Sequence, residues 1–279
     1  MSLSAERKEY LEGLAKNFRI QIIDLLHKIQ TGHPGGSLSA VEILTTLYFE
    51  KMNVDPKNPK CEDRDRFILA KGHAAPILYF TLAEKGFFPK EEMATLRQIN
   101  SNLQGHPCAK KTPGVELSTG PLGLGLSAGL GMALGAKLNN KEYYTYVLMG
   151  DGEIQEGIVW EAAMSAAKFK VDNLIAILDN NGVQLDGTVD EIMPLGDIEA
   201  KWKSFGWNVI KIDGHNVEEI SDAVDKAKAT KGVPTIIIAK TVKGKGVSFM
   251  EGKNTWHGSP IGDEHYKQAM AELGGAING

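Results

Sequence analysis

Five apolar runs constrain this chain more than any other feature. Arg66-Phe67-Ile68-Leu69-Ala70, Tyr144–Met149, Leu174–Leu178, Trp207–Ile212 and Thr235–Ala239 are short and apolar at most positions. A strand with one wet face alternates apolar and polar residues, whereas a continuous run needs cover on both faces. Segments of helical period separate the later runs, notably Glu156–Phe169 and Val217–Lys228. Buried strands that alternate with helices form a parallel sheet. The expected fold is α/β: a doubly wound, mostly parallel sheet with helices on both faces. No repeat, low-complexity linker or midway boundary divides the chain, so residues 1–279 are expected to form one domain.

The N-terminal half supplies helices and loops. Leu11, Leu14, Ala15, Phe18, Ile22, Leu25 and Ile29 recur at helical spacing. The run Thr31-Gly32-His33-Pro34-Gly35-Gly36 is expected to end that helix as a non-helical loop. Ser37 or Ser39 is expected to cap a second helix through Val41, Ile43, Leu44, Leu47 and Tyr48. Helices are expected near 74–85 and 90–97. The stretch Asn100–Pro121 is a long irregular loop, a kind usually tied to function. Gly123–Leu138 reads as a helix of small residues suited to close packing at a subunit interface. The last twenty residues, ending AELGGAING, carry little apolar content and are expected to be loosely held.

Composition excludes several functions. A formal charge of −4 offers no broad attraction for nucleic acid or anionic membrane. No run of eighteen apolar residues and no apolar N-terminal leader occur, so a cytoplasmic chain is expected. Cys61 and Cys108 make neither a disulfide framework nor a zinc set. The histidines are more telling. Of seven, His33, His73, His106, His215 and His257 adjoin a glycine, which suggests imidazoles displayed on tight loops around a polar ligand. His27 and His265 read as surface residues, and His215 as a plain loop histidine.

Ligands of a parallel sheet bind beyond the carboxyl ends of its strands. Two ends here carry unusual chemistry: Gly150-Asp151-Gly152 after one run, and Asp179-Asn180-Asn181-Gly182 after the next. Joined through one helix, the two strands bring the Asp151 carboxylate and the Asn181 amide oxygen within reach of one ion. Hard oxygen ligands suit Mg2+, or Ca2+. The Val183 carbonyl, a water and two phosphate oxygens would complete an octahedral shell, and Gly150 and Gly152 offer amides to an anion. Each loop alone is also an ordinary turn signal. The glycine run Gly123-Leu-Gly125-Leu-Ser-Ala128 satisfies a permissive dinucleotide-loop pattern. It lacks a preceding strand and a following acidic residue, so it reads as a packed helix.

The pair GDG and NN, 27 residues apart, resembles the signature of thiamine diphosphate enzymes. TGHPGG, KGHAAP, GHP followed by TPGVELSTGPLGLG, GDGEIQEG, LIAILDNNGVQLDG and WHGSP together resemble the transketolase family, from about Leu11 to about Ile261. The resemblance implies Asp151, Asn181 and the Val183 carbonyl as metal ligands. It implies His73, Gly120, Leu122, Gly150, Asp151, Gly152, Glu153, Glu161, Asn181, Leu185 and His257 around thiamine diphosphate. His33, His106, His257 and Glu156 are implied as catalytic. Glu156 and Glu161 also suit a helix start through its dipole, and Leu122 and Leu185 suit plain packing. Asp186 is expected to hold its turn.

Transketolases resemble three domains in series, and the resemblance covers the first. The glutamate that activates the cofactor belongs to the family's second domain. The expectation is therefore the N-terminal subunit of a split transketolase, completed by a C-terminal subunit in a heterotetramer containing two copies of each. It would act on sugar phosphates with Mg2+ and thiamine diphosphate, in pentose phosphate metabolism. The alternatives are a specialised sugar transketolase, a 2-oxo acid dehydrogenase α subunit, and a non-catalytic binding protein.

Overall fold

The computed structural model describes residues 3–276. Its centre is a five-stranded, all-parallel sheet of order β1-β2-β3-β5-β4. The strands are β1 Arg66–Leu69, β2 Thr145–Gly150, β3 Leu174–Asn180, β4 Asn208–Asp213 and β5 Thr235–Lys240. The apolar runs end where burial permits, so β3 carries on through Asp179, which pairs with Gly150 on one side and Ala239 on the other.

Alternate strand residues feed two cores. Phe67, Leu69, Tyr146, Leu148, Ile175, Ile177 and Ile237 face a core built with α1 Ala5–Ile29, α3 Val41–Thr46, α4 Ala75–Lys85, α9 Val217–Ala229 and α10 Asp263–Leu273. Ile68, Val147, Met149, Ala176, Leu178, Ile236 and Ile238 face the other, built with α5 Leu124–Leu138, α6 Gly157–Lys168 and α8 Ile198–Ser204. Two short helices, α2 Pro34–Leu38 and α7 Val189–Ile192, sit in the loops beyond the strand ends. The doubly wound α/β expectation holds, and each fully buried aliphatic side chain adds about 1.5–3 kcal/mol to this three-layer stack. Small residues let α5 lie directly on the sheet. A Cβ on Gly125 would stand 2.4 Å from that of Ala70, and one on Gly129 2.4 Å from Val147.

Local expectations fail in four places. Pro34-Gly35-Gly36 is helical in α2, because Pro34 occupies the first turn, where its missing N–H costs nothing. Both glycines are pressed there by neighbours: a Cβ would stand 2.8 Å from the Trp256 carbonyl at Gly35 and 3.1 Å from His73 Nε2 at Gly36. Ser37 and Ser39 do not cap α3, which starts behind Ala40 without a side-chain cap. Ser37 donates to the His33 carbonyl (2.8 Å) and Ser39 to Asp179 (2.7 Å). The segment near 90–97 is a 3-10 turn, Lys90–Thr95. The C-terminal segment is held by α10, whose Tyr266, Ala269, Met270 and Leu273 are buried in the core shared with α1. Residues 277–279 of that expectation lie outside the described residues. His27 is half-buried and stacks on Tyr266 with ring centroids 4.0 Å apart, whereas His265 is exposed. Among the described residues, no helix is long and apolar enough to cross a membrane.

Candidate active site

The carboxyl ends of β1, β2, β3 and β5 open into one cleft, where the ligand of a parallel sheet is expected. β1 delivers Lys71 and His73, and β2 delivers Gly150 and Gly152. The loop after β3 delivers Asn181, Val183, Gln184 and Leu185, and the turn after β5 delivers Lys243. Gly36, Leu122, Glu153 and His257 complete the walls.

An ion network lies beneath the floor. Lys71, which is 2 % exposed, donates to the buried Asp179, to Ser39 Oγ (3.3 Å) and to the Gly36 carbonyl (2.7 Å). Thr241 also donates to Asp179. Burial alone would raise the Asp179 pKa, but Lys71 and the two hydroxyls hold it below the usual carboxylate range. Removing one member of such a buried pair typically costs about 3–5 kcal/mol. The network therefore ties the starts of two loops and α2 to the sheet.

Asp151 is 2 % exposed and accepts the amides of Gly152 (2.9 Å) and Gly182, so the two expected metal loops meet. Burial, and next the negative Asp179, push its pKa up to about 6. A buried carboxylate strained in this way suits a divalent cation. Asn181 Oδ1 accepts the Val183 amide (3.0 Å), and the Val183 carbonyl accepts from Lys243 Nζ (3.2 Å). Among the described residues no group of three His, Cys, Asp or Glu side chains is placed to hold a metal ion, so a metal here would rest on one carboxylate, one amide and backbone. That set suits Mg2+, which keeps ligand phosphates and waters. Two further observations fit an anionic cofactor beside it. The buried Gln184 Nε2 has no partner among the described residues, and Lys243, its pKa lowered to about 8 by burial and then by Lys71, brings an ammonium into the wall.

Glu153 is 3 % exposed and accepts the amides of Gly123 (2.8 Å) and Gly150 (3.2 Å). Burial raises its pKa to about 7 against those two hydrogen bonds. It joins the start of α5 to the end of β2.

The four histidines converge from four separate segments. The His33 ring lies 5.4 Å from His73, 6.1 Å from His106 and 5.5 Å from His257, and His73 lies 4.7 Å from His257. Burial first, and nearby cations next, lower all four pKa values: His33 to about 4, beside Arg97, and His257 to about 3, beside Lys243. These imidazoles are therefore neutral at physiological pH, not poised to titrate there. Because the folded pKa lies below the unfolded one, His257 adds stability above about pH 6.5 that is lost as pH falls toward 3. Relative to His257→Gln, the wild-type chain is expected to lose thermal stability across that window. A constant difference in melting temperature between pH 7 and 4 would count against a buried neutral ring.

Other expected residues sit differently. Gly120 lies beside the His106 ring, about 3.8 Å from its would-be Cβ. Glu156, just before α6, and Glu161, on α6, are exposed and do not line the cleft. Asp186 is exposed on its turn. His215 is structural: its Nδ1 meets Glu42 (2.8 Å), which also holds the buried Arg19. Sequence reasoning missed Lys71, Lys243, Gln184 and Arg97. Lys71 and Lys243 each follow an apolar run within four residues, the same signal that marked Asp151.

Residues 11–277 match the family model described as "Transketolase, thiamine diphosphate binding domain". The chain is 45% identical over 269 residues to the 6-deoxy-6-sulfo-D-fructose transketolase subunit SqwG of Clostridium sp. (strain MSTE9), covering 96% of this chain and 98% of that one. It is 44% identical over 265 residues to a subunit of the apulose-4-phosphate transketolase of Phocaeicola vulgatus, covering 95% and 94%. Among solved structures, the transketolase of Campylobacter jejuni superposes with a TM-score of 0.90 at 35% identity, over 96% of this chain but only 43% of that one.

Proposed function

Because this chain belongs to the transketolase family, matching its thiamine diphosphate-binding domain, we propose that it is the N-terminal subunit of a two-chain transketolase, folded as one diphosphate-binding domain. It would move a two-carbon ketol unit from a ketose phosphate to an aldose phosphate once a C-terminal subunit closes the site. The carrying observation is the meeting of four neutral histidines with a lysine-lined cleft at the strand ends. Two relatives of nearly the same extent bear the word "subunit" in their names, which supports the split form. Those names, 6-deoxy-6-sulfo-D-fructose and apulose 4-phosphate, also support a specialised ketose as donor.

Bound thiamine diphosphate would supply the electron sink that breaks a carbon–carbon bond next to a ketose carbonyl. This chain's residues hold and orient. The Gly152 amide and Lys243 would face the diphosphate. Asp151, Asn181 and the Val183 carbonyl would hold Mg2+, with Ca2+ as the other hard cation the set accepts. For that, Lys243 must give up the Val183 carbonyl to the metal. Leu122 and Leu185 flank the cleft where the cofactor rings would lie. Gly120 positions His106. His33, His73, His106 and His257 offer N–H donors to sugar oxygens. Glu156, just before α6, and Glu161, on its exposed face, would meet a second copy of this chain, next to the bare outer face of α5.

His33→Ala, His106→Ala and His257→Ala are expected to lower kcat/KM of the reconstituted enzyme by roughly 10²–10⁴, with cofactor affinity little changed. Steady-state kinetics and calorimetry read the two separately. Changes under about threefold in all three variants would reduce the rings to a packing role.

A further inference from the structure

Arg97 occupies an unusual place for a cation. It sits in the loop between the 3-10 turn Lys90–Thr95 and the long segment carrying His106, with a left-handed φ of 64°. Non-glycine residues rarely hold that conformation unless the surroundings enforce it, and such residues cluster at functional sites. The enforcing contacts are visible. The Arg97 amide donates to the Leu103 carbonyl (2.9 Å), and Ser101 Oγ meets Thr95 Oγ1 (2.7 Å), so the loop closes on itself. Gly105 leaves room for the guanidinium, since a Cβ there would stand 3.1 Å from Arg97 Cζ.

The guanidinium points at one ring. Nη1 donates to Thr31 Oγ1 (3.2 Å), and Nη2 lies 3.2 Å from His33 Nδ1. A guanidinium has donors and no acceptor. His33 Nδ1 must therefore accept, which leaves the ring proton on Nε2. His33 is also the hub of the cluster, with ring contacts to His73, His106 and His257.

We propose that Arg97 is a positioning residue: it locks His33 in the neutral tautomer with the proton on Nε2, so that His33 serves the site as a hydrogen-bond donor and not as a base. The sugar oxygen facing His33 must then be an acceptor, such as a carbonyl or alkoxide oxygen. The titratable and charged groups around His33 act in the same sense. Arg97 and His106 face it from the 96–123 loop, His73 from the turn after β1, and Lys243 and His257 from the segment after β5. Burial is the first cause of the lowered His33 pKa, and Arg97 is the second.

The consequence for turnover rests on the transketolase reading, while the tautomer does not. The test is ring-nitrogen NMR of the 15N-histidine-labelled chain, with His33 assigned by its loss in His33→Gln. At pH 7 the wild-type ring is expected to be neutral, with the proton on Nε2. Arg97→Met is expected to give a tautomer mixture and a His33 that titrates at higher pH, and Arg97→Lys to restore the Nε2–H form. In the reconstituted enzyme, Arg97→Met is expected to lower kcat/KM about tenfold to a hundredfold and to shift the acid limb of its pH profile upward. A wild-type His33 that is charged or protonated on Nδ1 at pH 7 overturns the proposal, as does an unchanged spectrum in Arg97→Met. If Arg97→Met does not fold, Gly105→Ala, which displaces the guanidinium, must give the same mixture, and an unchanged spectrum there overturns it too. A correct tautomer in an enzyme without transketolase activity would sink the functional reading alone.

Discussion

Replacing Asp151 with alanine is expected to remove metal-dependent binding of thiamine diphosphate. The carboxylate is 2 % exposed, its pKa is raised to about 6 by burial and by Asp179, and it spans the loops after β2 and β3. A cation between those loops would relieve the repulsion and bridge to the diphosphate. Losing a group that merely orients a metal ligand costs about 10- to 100-fold in metal affinity. Losing the ligand itself is expected to cost about 100-fold or more in cofactor affinity at fixed Mg2+. Asp151→Asn keeps the shape and one of the two backbone-amide contacts while removing the charge, so, with its folded state checked by circular dichroism, it separates the electrostatic effect from a folding defect. Calorimetric titration of the two-subunit complex measures both variants. Unchanged affinity in Asp151→Ala would remove Asp151 from the ligand set.

The second large effect concerns the partner. The lone chain is expected to show no ketol transfer, and the C-terminal subunit is expected to restore it. The physical reason lies at the cleft mouth. Leu122 and Leu185 line it and are 40 % and 58 % exposed. Ile192 and Met193, beside the same loop, are 46 % and 59 % exposed. Apolar side chains gathered around a polar cleft favour cover by another surface. Without that cover, water reaches the site and weakens every electrostatic contact in it. A difference of about 10³-fold or more in kcat is expected from site closure and completed donors. The assay is transfer from a ketose phosphate to an aldose phosphate with cofactor and Mg2+, with and without the C-terminal subunit. Full turnover by this chain alone would show that no second subunit is needed.

Much of this protein could be read without coordinates. The apolar runs determined the parallel sheet because continuous burial on two faces is a local composition signal. GDG and NNG, each an ordinary turn signal alone, pointed to the strand ends because the two follow successive apolar runs in this order and spacing. The four histidines were legible as a set through their glycine neighbours, although only the fold brings 33, 73, 106 and 257 together.

What the pattern could not reveal depends on partners far away in sequence. Nothing next to Lys71 in the sequence marks it as buried; its partner Asp179 comes 108 residues later and meets it only in the fold. Ser39 looks like a helix cap until that same aspartate claims its hydroxyl. Pro34-Gly35-Gly36 reads as a loop because its helical turn is held by Lys71 and the Gly244 amide, which donate to the Gly36 and Gly35 carbonyls, not by its own propensity. The C-terminal stretch reads as too poor in apolar residues to be held, yet four of the five apolar side chains of α10 are buried in the core shared with α1. Arg97 carries no motif at all: its role follows from a left-handed backbone and one nitrogen of His33, 64 residues earlier. Sequence alone determined the layers and the edge where chemistry occurs, because burial periodicity and turn chemistry are local. Tertiary structure alone decided which charges are buried and which proton each imidazole carries, because those energies exist only between groups that folding brings into contact.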